Sequence, residues 1–480
     1  MLDAVVVGSG PNGLSAALRL AQAGCSVLVV EGQDVAGGGM ATAESTRPGF
    51  LHDTCSAVHP TGALSPYWQT LDLARHGLRW RSSPTSVAHP LTGGRAVLQG
   101  RSLDALAESL GRDGPRWRRL FAPWLRGDQG VLWSDLLAPL GLPRRPFAMA
   151  RFGALGALSA QRLAGLFQTE EARALLAGHA GHSVLPFSTS FTGAFALVFS
   201  LSAHTIDWPV AEGGSGAIAD ALIAALTEAG GAVETGRWVG TLDDLPPSRL
   251  VLFDTSPRAL ATIAGDALPA RFRRRLEAFE YGPGVFKVDW ALDGPIPWTA
   301  DGVADASTVH VGGTFEEIAA AEAEPWAGRV AERPFLIVCQ QSALDPSRAP
   351  DGQHTGYAYC HVPSGCPLDL TDRVEEQIER FAPGFRDRIL ARASTGPADF
   401  EYRNPNLIGG SITGGAATWD QLFTRPVAQL RPYATPNPRL LLCSASTPPG
   451  GGVHGMAGFH AAGLALRRLR VAPPRLPAPA

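Results

Sequence analysis

Residues 4–31 have the sequence AVVVGSGPNGLSAALRLAQAGCSVLVVE, which predicts a strand, a glycine turn, an amphipathic helix and a second strand ending in an acid. The first glycine permits the tight turn, the second lets a pyrophosphate approach the backbone, and the third lets the helix pack against the sheet. The helix N-terminus would present free N–H groups to the phosphates. Glu31 lies where a carboxylate can accept hydrogen bonds from a ribose. We therefore predict a dinucleotide-binding Rossmann unit whose cofactor contacts are Gly8, Gly10, Pro11, Asn12, Gly13 and Glu31.

A second glycine run indicates which dinucleotide is bound. Gly37-Gly38-Gly39 follows the second strand by about six residues, and a glycine pair at this point lets the chain pass close to the cofactor in glutathione-reductase-like FAD domains. Gly38 and Gly39 therefore favour FAD over NAD, although an ordinary glycine-rich loop would have the same composition. Residues 213–216 also precede a predicted helix, but no ribose-binding acid follows them. This turn is interpreted as structural or flavin-proximal, and no stable NADPH site is predicted.

The C-terminal part of the chain supplies a matching half-site. Residues 438–443 predict a buried strand, 444–449 a turn, and the glycines from 450 onward the opening of a helix. Glycines at a helix start again form a site for anions and dipoles. In FAD enzymes with this architecture, the corresponding segment meets the ribityl chain and the flavin pyrimidine edge. The predicted contacts here are Ser444, Gly452, Val453, His454, Gly455 and Met456.

Further motifs extend the pattern along the whole chain except about 110–180 and the tail. They are Pro48–Asp53 with Ser56, His59 and Pro60; Trp208–Val210 with Gly213–Gly216; Gly282–Asp289; His361–Pro363; Asn404–Asn406 with Gly409 and Gly410; and Thr447–Gly455. With the N-terminal motif, they make the chain resemble carotenoid-desaturase-related, phytoene-dehydrogenase-like FAD oxidoreductases, closest to their pyridine-nucleotide-disulphide-oxidoreductase-like branch. One departure is Met40-Ala41-Thr42, where many relatives place an arginine near the flavin phosphates.

The resemblance implies an α/β fold in which a glutathione-reductase-like FAD-binding Rossmann domain is interleaved with an α+β substrate domain of the amine-oxidase and phytoene-desaturase type. The FAD domain would comprise residues 1–85, 213–265 and 400–472. The substrate domain would comprise residues 86–212 and 266–399, with a helical cap at about 115–170. Residues 473–480 are Pro/Ala-rich and predicted to be disordered.

The resemblance also implies residues for chemistry. Lys287 lies in a predicted strand, and in similar flavoenzymes a lysine there reaches flavin N5 through a water; the alternative is an ion pair with Asp289 or Glu280. His454 and His59 are further catalytic candidates, each with a purely structural alternative. The predicted substrate contacts are Trp208, Tyr357 and His361, and backbone near Val239 would contact adenine.

The segment 115–170 mixes tryptophan, phenylalanine and leucine with eight arginines. This composition suits an interfacial helix and allows a peripheral membrane contact. A helical lid packed on the substrate domain is the alternative that we favour.

Composition restricts which other classes of protein the sequence can belong to. The formal net charge is −3, so no basic field favours nucleic acid. The six cysteines form no CxxC pair and the twelve histidines do not cluster at ligand spacing, so neither a redox disulfide nor a metal site is predicted. The first strand begins close to Met1, which leaves no room for a signal peptide, and a cytoplasmic location is predicted.

The sequence thus predicts an enzyme that takes hydride from a mostly apolar small molecule to the N5 atom of FAD, most plainly as C–C desaturation, with oxygen or a quinone as electron acceptor. Amine or alcohol oxidation with release of peroxide is one alternative. A non-catalytic prenyl-binding module of the GDI-like type is another. The substrate and the oligomeric state are not predicted.

Overall fold

The computed structural model describes residues 1–476; of the predicted disordered tail, residues 477–480 lie outside the described residues. The strands are β1 Leu2–Val7, β2 Val27–Val30, β3 Thr42–Ala43, β4 His52–Asp53, β5 Trp80–Arg81, β6 Val87–Leu91, β7 Arg95–Gln99, β8 Val210–Ala211, β9 Ala232–Glu234, β10 Ser248–Phe253, β11 Gly284–Leu292, β12 Thr308–Val311, β13 Leu336–Cys339, β14 His354–Val362, β15 Ile389–Thr395 and β16 Leu440–Leu442.

Helices connect and cover these strands. They are α1 Pro11–Gln22, α2 Pro60–Ala63, α3 Leu103–Ser109, α4 Gly114–Leu125, α5 Gln129–Leu136, α6 Pro146–Gly156, α7 Ala160–Ala164, α8 Glu170–Gly181, α9 Thr192–Thr205, α10 Gly216–Glu228, α11 Pro257–Ala264, α12 Ala270–Glu277, α13 Phe315–Ala323, α14 Gln341–Leu344, α15 Thr371–Glu379, α16 Pro397–Arg403, α17 Trp419–Thr424 and α18 Met456–Leu469. In residues 1–476, no helix has the length and apolarity needed to cross a membrane.

A parallel five-stranded sheet carries the glycine turn. Its order is β16-β10-β1-β2-β9, and all of its strands come from the ranges 1–85, 213–265 and 400–472. Helix α1 packs against both α10 and α18, so one face of the sheet is covered by helices from three distant parts of the chain. Parallel strands buried on both faces are apolar throughout, which explains the valine and leucine runs in β1, β2 and β16.

A seven-stranded sheet is formed from the ranges 86–212 and 266–399. Its order is β15-β11-β14-β13-β12-β6-β7, and its pairs are antiparallel except for β6 with β12. Every residue of β11 is buried. The strand that carries Lys287 is therefore an inner strand of the sheet and is covered on both faces.

The helical layer is longer than the predicted cap. It runs from α3 through α9, residues 103–205. Helices α8 and α9 pack on each other, and α8 also contacts β6 and β7. This extension was hard to predict because α8 and α9 are rich in small and apolar residues on every side, which weakens the periodicity that marks an amphipathic helix.

Candidate functional site

A cavity of about 1700 Å³ is lined by residues of both sheets and of the helical layer. Pockets for drug-sized ligands measure roughly 300–1,000 Å³, so this cavity has room for a dinucleotide and a second molecule. Most residues predicted as cofactor contacts line it: Gly8, Gly10, Pro11, Asn12, Glu31, Gly38, Gly39, Val239, Ser444, Gly452, Val453 and His454.

The other predicted cofactor residues lie behind this wall, where space is short. A Cβ on Gly13 would come 2.1 Å from the carbonyl oxygen of Gly8, and one on Gly455 would come 2.0 Å from Ser15 Oγ. Gly455 also has a φ of +67° at the start of α18. Gly13 therefore lets α1 pack closely on the turn after β1 and on Asp254 after β10, and Gly455 lets the start of α18 pack against Ser15 of α1. Met456 is buried at the first position of α18.

Glu31 is held in place by the glycine turn. Its Oε2 accepts hydrogen bonds from the backbone N–H of Ser9 (2.9 Å) and the Ser9 hydroxyl (2.6 Å), and its Oε1 accepts one from Gln33 N–H at 2.9 Å. The Ser9 hydroxyl in turn accepts from Gly37 N–H at 2.9 Å. The acid at the end of β2 is thus fixed at the cavity wall, and both glycine runs are tied to it.

Asp254 is a site residue that sequence reasoning missed. It follows β10 and lines the cavity. Its Oδ2 accepts the backbone N–H of Gly13 at 2.7 Å, and a Cβ on Gly10 would lie 2.6 Å from the same oxygen. Burial raises the pKa of Asp254 to about 7; the Gly13 hydrogen bond opposes this shift and the charge of Glu31 adds to it. The start of α1 therefore rests on a carboxyl group that is partly protonated near neutral pH.

Asp254 makes folding pH-dependent. The folded protein holds this proton up to about pH 7, whereas the ordinary pKa of an aspartate is 3.8, so unfolding releases a proton between these values. The stability that Asp254 contributes is complete below the lower pKa and is lost as the pH rises through the higher one, by at most about 1.4 kcal/mol per pH unit. Asp254→Asn keeps an amide oxygen that can accept from Gly13 N–H but has no carboxyl proton to lose. Its free energy of unfolding is therefore expected to fall less than that of wild type between about pH 5 and about pH 8.

Chemical denaturation of the flavin-free protein at both pH values checks this expectation. Asp301→Asn is the matched control, since Asp301 is exposed, and it should follow the wild-type pH dependence. Parallel curves for wild type and Asp254→Asn would contradict the raised pKa.

The two histidines predicted as catalytic, His454 and His59, both line the cavity but differ in which ring nitrogen is hydrogen-bonded. Nδ1 of His454 accepts the N–H of Met456 at 3.1 Å, so this ring caps α18. Nε2 of His59 lies 2.8 Å from Ser215 Oγ, whose proton is donated to the carbonyl oxygen of Ser56. His59 must therefore donate from Nε2, which leaves a lone pair on its buried Nδ1, an atom with no hydrogen-bond partner in residues 1–476.

Lys287 and His361 are not among the cavity-lining residues. The Lys287 ammonium pairs with Asp289 and lies 4.6 Å from the ring centroid of Tyr357, so Tyr357 separates it from the cavity. This is the ion-pair alternative given by the sequence. His361 donates from Nδ1 to the carboxylate of Glu322 at 2.7 Å, and both side chains are buried.

The predicted substrate contacts Trp208 and Tyr357 do line the cavity. Trp208 donates its indole N–H to Ser202 at 3.0 Å, and Tyr357 donates its hydroxyl to the carbonyl oxygen of Cys55 at 2.8 Å. Both rings are therefore fixed. The wall around them is mainly aromatic and aliphatic, with Phe152, Phe195, Val198, Phe199, Ile337 and Tyr359.

Arg425 is a second residue that sequence reasoning missed. Its guanidinium is buried, lines the cavity, and donates to the carbonyl oxygens of Gly415 and Ala416. Within residues 1–476 no carboxylate lies in ion-pair range of it, and burial lowers its pKa to about 10. A buried cation without an acid is costly, which makes this part of the wall suited to an anionic group.

The helical layer behaves mostly as a lid. Trp117, Phe121, Trp124, Leu132 and Trp133, whose aromatic character suggested an interfacial helix, are all buried. Three exposed apolar side chains, Leu140, Leu142 and Phe147, lie together where α5 leads into α6, and a fourth, Leu166, lies between α7 and α8. Leu140 also lines the cavity. A membrane contact of this segment would therefore use mainly the tip at Leu140, Leu142 and Phe147.

Comparison with known proteins agrees with the fold. A family model described as an NAD(P)-binding Rossmann-like domain matches residues 6–72. Pyridine nucleotide-disulfide oxidoreductase domain-containing protein 2 of Rattus norvegicus is 28% identical over 98% of this chain and 94% of its own. Phytoene dehydrogenase of Streptomyces griseus is 26% identical over 81% of this chain and 77% of its own.

Among solved structures, a triple mutant of putrescine oxidase covers 98% of this chain and 99% of its own with a TM-score of 0.60 at 18% identity. This likeness shows the fold. The protein is thus an oxidoreductase with the amine-oxidase fold and a Rossmann unit. Its homologues include phytoene dehydrogenases and the pyridine nucleotide-disulfide oxidoreductase domain proteins, which confirms the resemblance predicted from the motifs.

Proposed function

We propose that the protein is an FAD-dependent dehydrogenase that oxidises a mostly apolar small molecule, with C–C desaturation as the reaction. The observation that carries the proposal is one continuous cavity in which a Rossmann glycine turn, a ribose-type acid and a buried arginine share walls with an aromatic chamber. The aromatic chamber is the part of the cavity lined by Trp208, Tyr357, Tyr359 and Phe199. The glycine turn, the acid and the arginine suit a dinucleotide, and the chamber suits an apolar second molecule.

The residues present fit FAD. Gly10 has no side chain where a dinucleotide must approach the backbone, and a Cβ there would meet Asp254 at 2.6 Å. Glu31 is held by Ser9 for ribose hydroxyls, and the unpaired Arg425 supplies positive charge for a phosphate or for an anionic ring. Arg425 would also compensate for the arginine that relatives carry after the second glycine run and that this chain replaces by Met40-Ala41-Thr42.

FAD, when bound, supplies a two-electron acceptor for the substrate hydride. The chain's own residues then bind, orient and exclude water. Trp208 and Tyr357 are fixed by hydrogen bonds and hold an apolar substrate flat in the chamber. His59 lines the same cavity, and burial lowers its pKa to about 4, so this ring is uncharged at neutral pH and adds no charge to the wall. The proton lost by the substrate would leave to solvent.

A visible spectrum of the purified protein tests the proposal first. A flavin spectrum that bleaches on anaerobic reduction with dithionite, and returns over many minutes in air, is the expected result. Return within seconds would instead favour an oxidase of amines or alcohols with oxygen as acceptor. A colourless protein that takes up no FAD would overturn the proposal.

The buried ion pair of Lys287 and Asp289 provides a prediction about stability. Because the Lys287 ammonium is paired with Asp289 and shielded by Tyr357, we expect Lys287→Met to leave Asp289 buried and unpaired, which costs about 3–5 kcal/mol of stability. The double variant Lys287→Met, Asp289→Asn removes both charges and should regain much of that loss.

The rate at which the reduced flavin is reoxidised in air shows whether Lys287 assists the reaction with oxygen or only stabilises the fold. If the lysine assists oxygen chemistry, the stable double variant reoxidises at least about tenfold more slowly than wild type, the change that follows from losing roughly 1.4 kcal/mol of transition-state stabilisation. An unchanged rate in a folded, flavin-loaded double variant assigns Lys287 to structure alone.

A further inference from the structure

A pair of imidazole rings lies where the aromatic chamber meets the seven-stranded sheet. His182 follows α8 and lines the cavity, and His310 lies in β12 and is fully buried. Their Nε2 atoms are 3.0 Å apart. Two such nitrogens form a hydrogen bond only when one carries the proton and the other the lone pair, so each ring fixes the tautomer of the other.

The pair is held rigidly. The ring of His182 stacks on Phe199, with centroids 4.1 Å apart and planes inclined by 21°, and it meets Trp208 edge-on at 5.9 Å. Behind it, a Cβ on Gly178 would lie 2.3 Å from Nδ1 of His310, so α8 leaves His310 no room to turn. The orientation of His182 is therefore set before any ligand arrives.

This arrangement leaves one ring nitrogen of His182 for a ligand. Nε2 is engaged by His310, and Nδ1 has no hydrogen-bond partner among the residues that the structure describes. Ser183, the next residue, also lines the cavity, and its buried hydroxyl likewise lacks a partner within residues 1–476. Tyr359 lines the same chamber. A polar atom that stays unpaired in an otherwise apolar wall is costly, so Nδ1 of His182 indicates a ligand that pairs with it, whereas the Ser183 hydroxyl is enclosed by protein.

The charge of the surroundings restricts that ligand. His182 contacts the rings of Phe199, Trp208 and His310, and burial, with the nearby His361, lowers its pKa to about 3. The nearby acid Glu322 is paired with His361, and Asp289 with Lys287. No free carboxylate awaits an ammonium group here and no free cation awaits a carboxylate, within the described part of the chain. The grouping is also not a metal site, since no cluster suited to a metal occurs in residues 1–476.

We propose that the substrate of this enzyme is an apolar molecule that carries an uncharged oxygen group, a carbonyl or hydroxyl, which hydrogen-bonds to Nδ1 of His182 with His310 as the positioning residue. The proposal rests on the proposed function only in taking the chamber as the substrate site. It separates this protein from an enzyme for pure hydrocarbons and from one for amines. His182 contacts the substrate, and Trp208 and Phe199 hold the apolar body beside it.

Binding of matched naphthalene probes to the flavin-loaded protein tests the proposal without turnover. Isothermal titration calorimetry would compare naphthalene, 2-methoxynaphthalene, 2-naphthol and 2-(aminomethyl)naphthalene. We expect at least one of the two oxygen probes to bind about tenfold or more tightly than naphthalene, the effect of satisfying one buried polar group. A charged amine should bind no better than naphthalene.

His182→Phe keeps the stacking on Phe199 and removes the nitrogens. It should abolish the preference for oxygen while leaving naphthalene binding nearly unchanged, and His182→Asn should restore part of it. Phe195→Leu is the matched control, since Phe195 lines the cavity without a polar atom; it should weaken all probes equally. His310→Phe should also reduce the preference, because the partner that orients His182 is lost.

Three outcomes would overturn the proposal. They are equal binding of naphthalene and both oxygen probes, tightest binding of the amine, and an oxygen preference that survives His182→Phe. Failure of the proposed function is seen separately, as a protein that takes up no FAD or whose bound flavin cannot be reduced. The calorimetric preference can be measured whichever electron acceptor the enzyme uses.

Discussion

We expect Gly10→Ala to abolish most of the FAD binding that we propose for this protein. The new methyl group would lie 2.6 Å from Oδ2 of Asp254, on the strip of backbone that a dinucleotide must approach. The backbone φ of Gly10 is −64°, so the effect is steric and not conformational. Overpacking costs about 1–3 kcal/mol, and about 1.4 kcal/mol is tenfold in affinity. We expect bound FAD, read from the visible flavin absorbance relative to the protein absorbance, to fall to about a tenth of wild type or less.

Two further variants test whether the loss of FAD binding comes from the methyl group added at Gly10. Gly153→Ala is the matched control, since a Cβ there meets nothing within 4 Å and lies in α6; its flavin content should equal that of wild type. The double variant Gly10→Ala, Asp254→Ala removes the carboxylate that the methyl group would strike. If the dinucleotide itself needs the space, the double variant stays empty. Wild-type flavin content in Gly10→Ala would refute the role given to the glycine turn.

Arg348→Met removes a buried cation that two carboxylates share. Arg348 is fully buried, and its guanidinium bonds to Asp53 at 3.0 Å, to Asp345 at 3.0 Å and to the carbonyl oxygen of Ala211 at 2.9 Å. Without the arginine, both carboxylates stay buried and lack their cation. Loss of one partner of a buried ion pair costs about 3–5 kcal/mol, and urea denaturation should show an unfolding free energy lower by that amount.

The position of this ion cluster explains why the loss is large. Asp53 also accepts the N–H of Ser215 at 2.7 Å, and Asp345 accepts that of Gly213 at 2.8 Å. The glycine turn before α10 is thus fixed to the hairpin of β3 and β4 through Arg348. Arg81→Met serves as control, because Arg81 is exposed and its partner Glu212 is partly exposed, and such pairs contribute about 0–1 kcal/mol. Equal stability of the Arg348 and Arg81 variants would contradict this assignment.

The sequence predicted the site where neighbouring residues define it. The spacing from Gly8 to Glu31 specifies a strand, a turn, a helix and a second strand, and β1, α1 and β2 confirm it. The C-terminal strand was also predicted, although β16 is shorter than residues 438–443, since Pro438 has no N–H for a strand ladder. Lys287 and Asp289 point to the same face of β11 by their spacing, and the ion pair between them was foreseen as an alternative.

Residues that depend on distant partners could not be foreseen. Asp254 bonds to Gly13 across 241 positions and Arg348 to Asp53 across 295. No local pattern marks either one. His182 and His310 are 128 positions apart, and a lone histidine in an apolar segment looks like a core residue until its partner is known. Arg425 differs from the other arginines of the cavity wall, which are Arg237, Arg258 and Arg403, in being buried, and no local pattern predicts that burial.

The arrangement of the five-stranded sheet has a consequence for the living cell. Strand β10 pairs with β1 on one side and with β16 on the other, and α18 packs on α1, so residues made first are completed by residues made last. During synthesis, N-terminal segments emerge first and domains fold as units. A nascent chain that stops short of Leu440 lacks both the last strand and the second glycine turn. The complete wall of the cavity can therefore form only after the last part of the chain has been made.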